Sequence, residues 1–334
     1  MSIPAAVCAA YELDDEAPTA ISVGWINRTF VAKRGGAPLV VQALHPIFRG
    51  EVNLDIEAIT ARLAARGLET PRLVRTAGGA PWIEADGVWR ALTYVEGETH
   101  ASLTPTQARE AAALVGRFHR ALEGFEHTFH FSRPGAHDTP KHLAKLRGLL
   151  DAAPDHEDAP LARAVLDAAA SLPTLPPLPT RIVHGDLKAT NLRFDGDRAR
   201  CLLDLDTLAH GSLAVELGDA LRSWCNASNE ADPEARFDPT IFAAALEGWA
   251  PVVRDLVTEA ERRSLVGGVE TITLELASRF AADLFEDRYF GWDEARFDSR
   301  RAHNRARTHA HLSLARSLRA QRDALEARVE RAFR

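Results

Sequence analysis

The chain has 334 residues, 46% of them hydrophobic and 26% charged, which excludes a disordered or fibrous protein and leaves room for two lobes with separate cores. A formal net charge of -7 and a pI near 6.0 argue against a nucleic-acid or anionic-membrane partner, since both demand a basic face. Cys8, Cys201 and Cys225 form no CxxC pair, and the N-terminus lacks a basic signal-peptide start, so reduced thiols in a cytoplasmic protein are expected.

From the N-terminus, residues 25–33 and 39–44 alternate apolar and polar around Arg34-Gly35-Gly36-Ala37-Pro38, a hairpin signature. Leu54 to Arg66 then carries Ile56, Ile59, Leu63 and Ala64 at helical spacing and closes on Gly67. Short strands are expected at 71–74, 81–85 and 88–94, split by Gly78-Gly79 and Asp86-Gly87. This first part therefore reads as a five-stranded sheet with one helix. Past Glu96-Gly97-Glu98 the composition turns to Ala, Leu, Arg and Glu at helical period, beginning at Thr104-Pro105, where proline suits the first helical turn. Helices are expected over 107–122, 139–150, 159–170, 240–249, 259–284 and from 298 onward. The Pro-rich run 172–179 is read as a stiff connector into a strand at Arg181. No apolar run approaches the roughly twenty residues of a bilayer span. The division is a nucleotide-binding lobe at 1–97 and a catalytic, substrate-binding lobe at 98–334.

Just inside the second lobe stands Val183-His184-Gly185-Asp186-Leu187-Lys188-Ala189-Thr190-Asn191, followed by Cys201-Leu202-Leu203-Asp204-Leu205-Asp206. Phosphoryl transfer needs a carboxylate to take the proton of the attacking hydroxyl, and an amide oxygen and a second carboxylate to hold a metal against the nucleotide phosphates. Asp186, Asn191 and Asp204 supply that set. An isolated HGD is an ordinary polar turn, and an Asp after a strand an ordinary cap; HGDxxxxN and LLDxD in this order point instead to a kinase-type site. The run 199–205 is expected to be a buried strand whose acidic end faces the loop. A nucleotide at the lobe junction would place its base near Tyr94, Val95, Glu96 and Gly97, and its phosphates near Gly24-Trp25-Ile26-Asn27-Arg28-Thr29.

These residues resemble the aminoglycoside phosphotransferase and choline kinase superfamily, and within it the N-acetylhexosamine kinase group. Gly24 to Phe30 is similar to a G-x-I-N-x-T-F loop, and Val41-Gln42 to the Leu-Gln of that group's third strand. Leu203 to Thr207 and Gly218-Asp219-Ala220-Leu221-Arg222 look like its metal strand and following helix. Glu275 to Phe280, Asp283, Tyr289-Phe290 and Asn304 to Thr308 look like its sugar-side segments.

The resemblance implies an α+β, protein kinase-like two-lobe fold, with ATP as phosphoryl donor and Mg2+ as cofactor. It implies a small sugar as acceptor, at the anomeric hydroxyl of a hexosamine or hexose, in a monomer or homodimer. Asp186 would be the base, Lys188 would neutralise the moving phosphoryl group, Asn191 and Asp204 would bind Mg2+, and Asp206 would assist through water. Gly24, Asn27, Thr29, Gln42, Tyr94, Val95 and Glu96 would contact nucleotide; Trp25, Arg279, Asp283 and Tyr289 would contact sugar.

Trp25 departs from the group's usual His, exchanging a hydrogen-bonding group for a stacking surface, and Glu216 stands where Asp is usual. Gln42 replaces the strand lysine of general kinases, with Lys33 a possible substitute. Glu57 then has no ion-pair partner on that strand and reads as a solvated helix residue. His119 reads as a structural hydrogen-bonding residue, and His137-Asp138-Thr139-Pro140 as a helix N-cap. Two other readings stay open: the same fold acting on an amino alcohol, nucleoside or aminoglycoside, and a catalytically silent nucleotide-binding module, which uncharged Gln42 alone favours.

Overall fold

The computed structural model describes residues 2–21, 27–133 and 135–334. Gly24 and Trp25 lie outside the described residues. The small lobe contains strands β1 (Thr19–Ile21), β2 (Arg28–Arg34), β3 (Ala37–Ala43), β4 (Leu73–Val74), β5 (Ile83–Glu84) and β6 (Val88–Thr93), with helices α1 (Ala5–Tyr11) and α2 (Val52–Ala65). Six strands form one antiparallel sheet in the order β1-β2-β3-β6-β4, with β5 on β6. The pattern reading anticipated five strands. The additional strand is the short β1, whose three residues are too few to show a period.

Helix α1 was not anticipated either. Its Ala-rich sequence reads only as mildly apolar, yet Val7 and Tyr11 are fully buried against Phe30, Val41, Trp89 and Ala91 of the sheet. Burial of this one face, not helix propensity, holds the seven residues in place, because so short a helix is marginal by itself.

The large lobe is mainly helical: α3 (Pro105–Leu122), α4 (Thr139–Ala152), α5 (Ala159–Ala169), α6 (Leu213–Trp224), α7 (Pro239–Val253), α8 (Glu259–Glu286), α9 (Arg300–Arg319) and α10 (Arg322–Ala332). The start of α3 is a capping box in which Thr104 and Gln107 satisfy each other's backbone N–H, with Pro105 following the cap. Asp138 caps α4 as read from the sequence. The expected single C-terminal helix is broken at Gln321, whose side-chain amide donates to Phe237 O (3.1 Å) and Ser317 O (3.0 Å) while Arg322 pairs with the buried Glu270.

Two short antiparallel pairs carry the chemistry-bearing segments. Strand β7 (Arg181–Val183) pairs with β10 (Ala209–Gly211), and β8 (Leu192–Asp195) with β9 (Arg198–Leu202). The HGD loop therefore joins β7 to β8, and the Asp204 segment joins β9 to β10. The expected strand to residue 205 stops at Leu202: Asp204 takes a left-handed φ of 58° and a 3-10 turn follows.

Between the lobes the chain passes through Gly97 at φ 127°, where an added Cβ would lie 2.1 Å from Phe194 O. Glu98 and Phe194 exchange two 2.8 Å backbone bonds directly beside it. Only glycine fits so close a crossing. Gly97→Ala is expected to destabilise the protein by about 1–3 kcal/mol, measurable as a lowered urea midpoint without a change in slope.

Candidate functional site

The HGD loop is fixed from beneath. Glu216 on α6 accepts the backbone N–H groups of His184 (2.8 Å) and Gly185 (2.9 Å), and its buried carboxylate also meets His119 Nε2 at 3.4 Å. Burial works to raise its pKa, but His119, His184 and these N–H bonds hold it below the usual carboxylate range. The expected roles of Glu216 and His119 as structural contacts are thus filled. Gly185, at φ 80°, lies so close to Thr207 that a Cβ would fall 2.5 Å from its carbonyl oxygen. Thr207 Oγ1 donates to His184 O and the buried His184 ring meets Leu203 O, both at 2.8 Å. These bonds stitch the HGD loop to the Asp204 segment, and Trp224 Nε1, donating to Leu187 O at 2.7 Å, anchors the loop's far side.

On this support Asp186, Lys188 and Asn191 come together. Asp186 Oδ2 accepts from Lys188 Nζ (2.7 Å) and Asn191 Nδ2 (2.9 Å), and Asn191 Nδ2 also reaches Asp186 O at 2.8 Å. The amide thereby turns its Oδ1 the other way. Desolvation opposes the charge on Lys188, but the Asp186 and Asp204 carboxylates outweigh it and raise its pKa, keeping it a cation. Asp204 carries no hydrogen bond from the protein among the described residues. It is open to solvent in the cleft, yet the surrounding protein and the carboxylates of Asp206 and Asp186 push its pKa up to about 7, against the pull of Lys188 and Arg90. An uncommitted carboxylate and the oxygen of a nearby amide, on segments joined by the 2.8 Å bond from Leu203 N–H to Asn191 O, are donors of the hard-oxygen kind that a divalent cation takes.

Other expected residues are placed differently. Both Asp206 oxygens are taken: Arg90 forks onto them and Asn27 Nδ2 donates to Oδ2 at 2.6 Å. Gln42 Oε1 accepts from Arg90, and its Nε2 donates to Thr29 Oγ1 at 3.0 Å. Arg90 thus engages both Asp206, which is buried, and Gln42, which is half-buried. Glu57 pairs with Arg75 at the surface, as its solvated reading required. Lys33 pairs with Glu16, both well exposed, and does not replace a strand lysine in the cleft. In the segment between the lobes, Arg193 reaches Tyr94 Oη and Val95 O, both at 3.0 Å, and Arg200 reaches Glu96 O at 3.3 Å.

Near Asp186 lies a charged cluster, built from two segments that carry the family resemblance together with Glu230 and His311. Asp219 and Arg222 on α6 pair at 2.6 Å, Glu230 sits 3.8 Å from Arg222 and 3.2 Å from Arg307, and His311 packs beside them. Burial alone would raise the pKa of Asp219, but Arg222 and His137 hold it low. Asp219 Oδ2, Arg222 Nε and His311 Nε2 are buried with no hydrogen-bond partner among the described residues. His137 completes the wall, meeting Glu275 Oε1 at 3.0 Å and Gly185 O at 3.4 Å. The signal available in the sequence was the charged pair in Gly218-Asp219-Ala220-Leu221-Arg222, on a mainly apolar helix that also carries Glu216.

The sugar-side expectations divide. Asp283 is buried and spends its oxygens on the N–H groups of Arg288, Tyr289 and Phe290 and on Asn304, so it shapes a turn. Tyr289 is 55% exposed, its hydroxyl accepting from Arg133 at 3.3 Å, and Arg279 lies over the Phe290 ring. Asp55, His127 and His130 also cluster, but both rings are hydrogen-bonded to Asp55 Oδ1 (2.8 and 3.0 Å), and Asp55 further accepts the N–H groups of His130 and Phe131; the group ties α2 to the large lobe. A cavity of about 450 Å³ opens by Pro173–Pro176, Arg263 and Arg322, remote from this chemistry.

A small antiparallel lobe, a helical lobe and a carboxylate-amide-carboxylate constellation at their junction define a kinase-like phosphotransferase. The chain belongs to the phosphotransferase enzyme family, matched over residues 18–253, and it is an ATP-dependent kinase; kinases of this family use ATP with a divalent metal. It is 26% identical over 251 residues to the homoserine kinase of Pseudomonas aeruginosa strain LESB58, spanning 75% of this chain and 76% of that one. It is 26% identical over 246 residues to the homoserine kinase of Rhizobium etli, spanning 70% of each. In fold it is similar to an aminoglycoside phosphotransferase from Alicyclobacillus acidocaldarius (TM-score 0.64, 16% identity, 97% of each chain). It is also similar to a microcompartment-associated aminopropanol kinase (TM-score 0.63, 16% identity, 97% and 98%) and an amicoumacin kinase held with AMP-PNP and Ca2+ (TM-score 0.63, 13% identity, 91% and 90%). Among the described residues no helix is long and apolar enough to cross a membrane.

A divalent cation held by Asp204 would have to displace its proton, because the surrounding protein and the Asp206 and Asp186 carboxylates push its pKa up to about 7. Divalent-cation affinity is therefore expected to rise by up to about tenfold per unit as the pH climbs to 7 and to level off above it. Calorimetric titration with Mg2+ across that range, with Asp204→Asn as a control that loses the dependence, checks this.

Proposed function

We propose that the chain transfers the γ-phosphoryl group of ATP to a hydroxyl of a small polyhydroxylated acceptor, a hexose or hexosamine in the leading reading. The observation that carries the chemistry is the position of Asp186, its Oδ2 shared by Lys188 Nζ and Asn191 Nδ2 next to the uncommitted Asp204. In this reading Asp186 accepts the acceptor's hydroxyl proton as the new O–P bond forms and the bond to the β-γ bridging oxygen breaks, releasing ADP. Lys188 supplies positive charge to the phosphoryl group in flight. Asn191 Oδ1 and the Asp204 carboxylate would hold Mg2+, which when bound supplies charge neutralisation at the phosphates.

The acceptor would lie over Asp219, Arg222, Glu230 and His137. Unpartnered donors and acceptors side by side suit neighbouring sugar hydroxyls, each able both to donate and to accept. A second reading has its own support: the relatives are named homoserine kinases, and a pocket with paired carboxylates and guanidinium groups also suits a hydroxylated amino acid, whose ammonium and carboxylate need opposite partners.

A panel of hexoses, hexosamines, homoserine and amino alcohols, incubated with ATP and Mg2+ and read by mass, decides between these acceptors. Phosphorylation of homoserine with no phosphorylated sugar would reject the leading reading. Whichever acceptor reacts, Asp186→Asn is expected to lower kcat by roughly 10²–10⁴-fold with ATP binding nearly unchanged. An unaltered rate would remove Asp186 as the base.

A further inference from the structure

General kinases hold their phosphate-side machinery together with a third-strand lysine paired to a helix glutamate. In this chain both halves of that pair are missing from the cleft: position 42 is Gln, and Glu57 is engaged with Arg75 at the surface. A buried ion pair of different origin crosses between the lobes instead. Arg90 on β6 stands directly opposite Gln42 on β3 in the antiparallel register, so the two side chains leave the same face of the sheet side by side. A cation lost from one strand is thus available from its neighbour.

The donors of Arg90 are all committed. Its Nε donates to Gln42 Oε1 at 2.9 Å, and its Nη2 to Gln42 Oε1 at 2.7 Å and Asp206 Oδ2 at 2.9 Å. Its Nη1 donates to Asp206 Oδ1 and, at 3.4 Å, to Asn53 Oδ1 on α2. Five N–H groups meet five contacts, with side-chain exposures of 1% for Arg90 and 0% for Asp206. Asp206 also takes Asn27 Nδ2, while Asn27 Oδ1 accepts the N–H of His45 at 2.9 Å. One carboxylate therefore joins the sheet, α2 and the residue that follows the hairpin loop to a point two residues beyond Asp204.

We propose that the Arg90–Asp206 pair is the positioning pair of this kinase, oriented by Gln42 and setting the Asp204 segment against the nucleotide lobe in place of a strand-lysine and helix-glutamate pair. Arg90 touches no reacting atom; it acts through Asp206 on where Asp204 and Asn27 stand. The proposal rests on the assignment of Asp204 to the metal-nucleotide side of the site, and it is independent of which acceptor is phosphorylated.

The test separates positioning from mere stability. Removing one member of a buried pair strands the other charge, whereas replacing both by apolar residues of similar size is often neutral for folding. Arg90→Met/Asp206→Leu is therefore expected to keep a melting temperature close to the parent chain's, while the half-saturating Mg2+·ATP concentration rises roughly tenfold to a hundredfold and the acceptor KM stays put. Arg90→Lys, which keeps the charge but cannot fork onto Asp206 and Gln42 together, is expected to fold and to show a smaller rise in the same constant. Parent-like Mg2+·ATP constants in a folded double variant, or in Arg90→Lys if the double variant does not fold, overturn the proposal. Mg2+·ATP binding by calorimetry needs no acceptor, so a parent protein that binds nucleotide but phosphorylates no sugar counts against the sugar reading alone.

Discussion

The site depends on one buried carboxylate. Glu216 takes two consecutive backbone N–H groups from the start of the HGD loop, and without it those donors would be buried and unpaired. Because α6 is packed into the large-lobe core through Leu213, Leu217 and Leu221, the loop inherits that rigidity. Gly185, held against Thr207, and Thr207, bonded back to His184, pass it on to the segment carrying Asp204. Asp186 and Asp204 are thus set by one connected scaffold, although each stands in a different β-connection.

Charge in the cleft is arranged in two tiers. Asp186, Asp204 and Lys188 form the tier nearer solvent, and the raised Asp204 pKa reflects first the surrounding protein's desolvation and then the nearby Asp206 and Asp186 carboxylates, with Lys188 and Arg90 in opposition. Such crowding is unfavourable until a divalent cation or a proton relieves it. Behind it, Asp206 with Arg90 is an internally compensated pair. The rear tier fixes geometry, and the front tier retains uncommitted capacity.

Two of the contacts that join the lobes are of contrasting kinds. At Gly97 the contact is backbone on backbone, with no room for a side chain. At Arg90–Asp206 it is a forked ion pair. The first fixes where the chain crosses, and the second fixes how the sheet meets the acidic segment. Together they leave a cleft lined by polar groups of both signs.

Read alone, the amino-acid order determined what depends on neighbours along the chain: the hairpin around Gly35-Gly36, the capped starts of α3 and α4, and the HGDxxxxN and LLDxD motifs. Local periodicity, turn chemistry and spacing are properties of short segments, and they survive without knowledge of the fold. The same order did not disclose that Asp206 and Gln42 would both be taken by Arg90, that Asp283 would be spent on a turn, or that Asp219, Arg222, Glu230 and Arg307 would share one charged cluster. Those outcomes are set by contacts across many residues, from Arg90 to Asp206 and from Arg222 to Arg307. Which of several chemically equivalent carboxylates remains uncommitted is decided only when packing has assigned the others their partners.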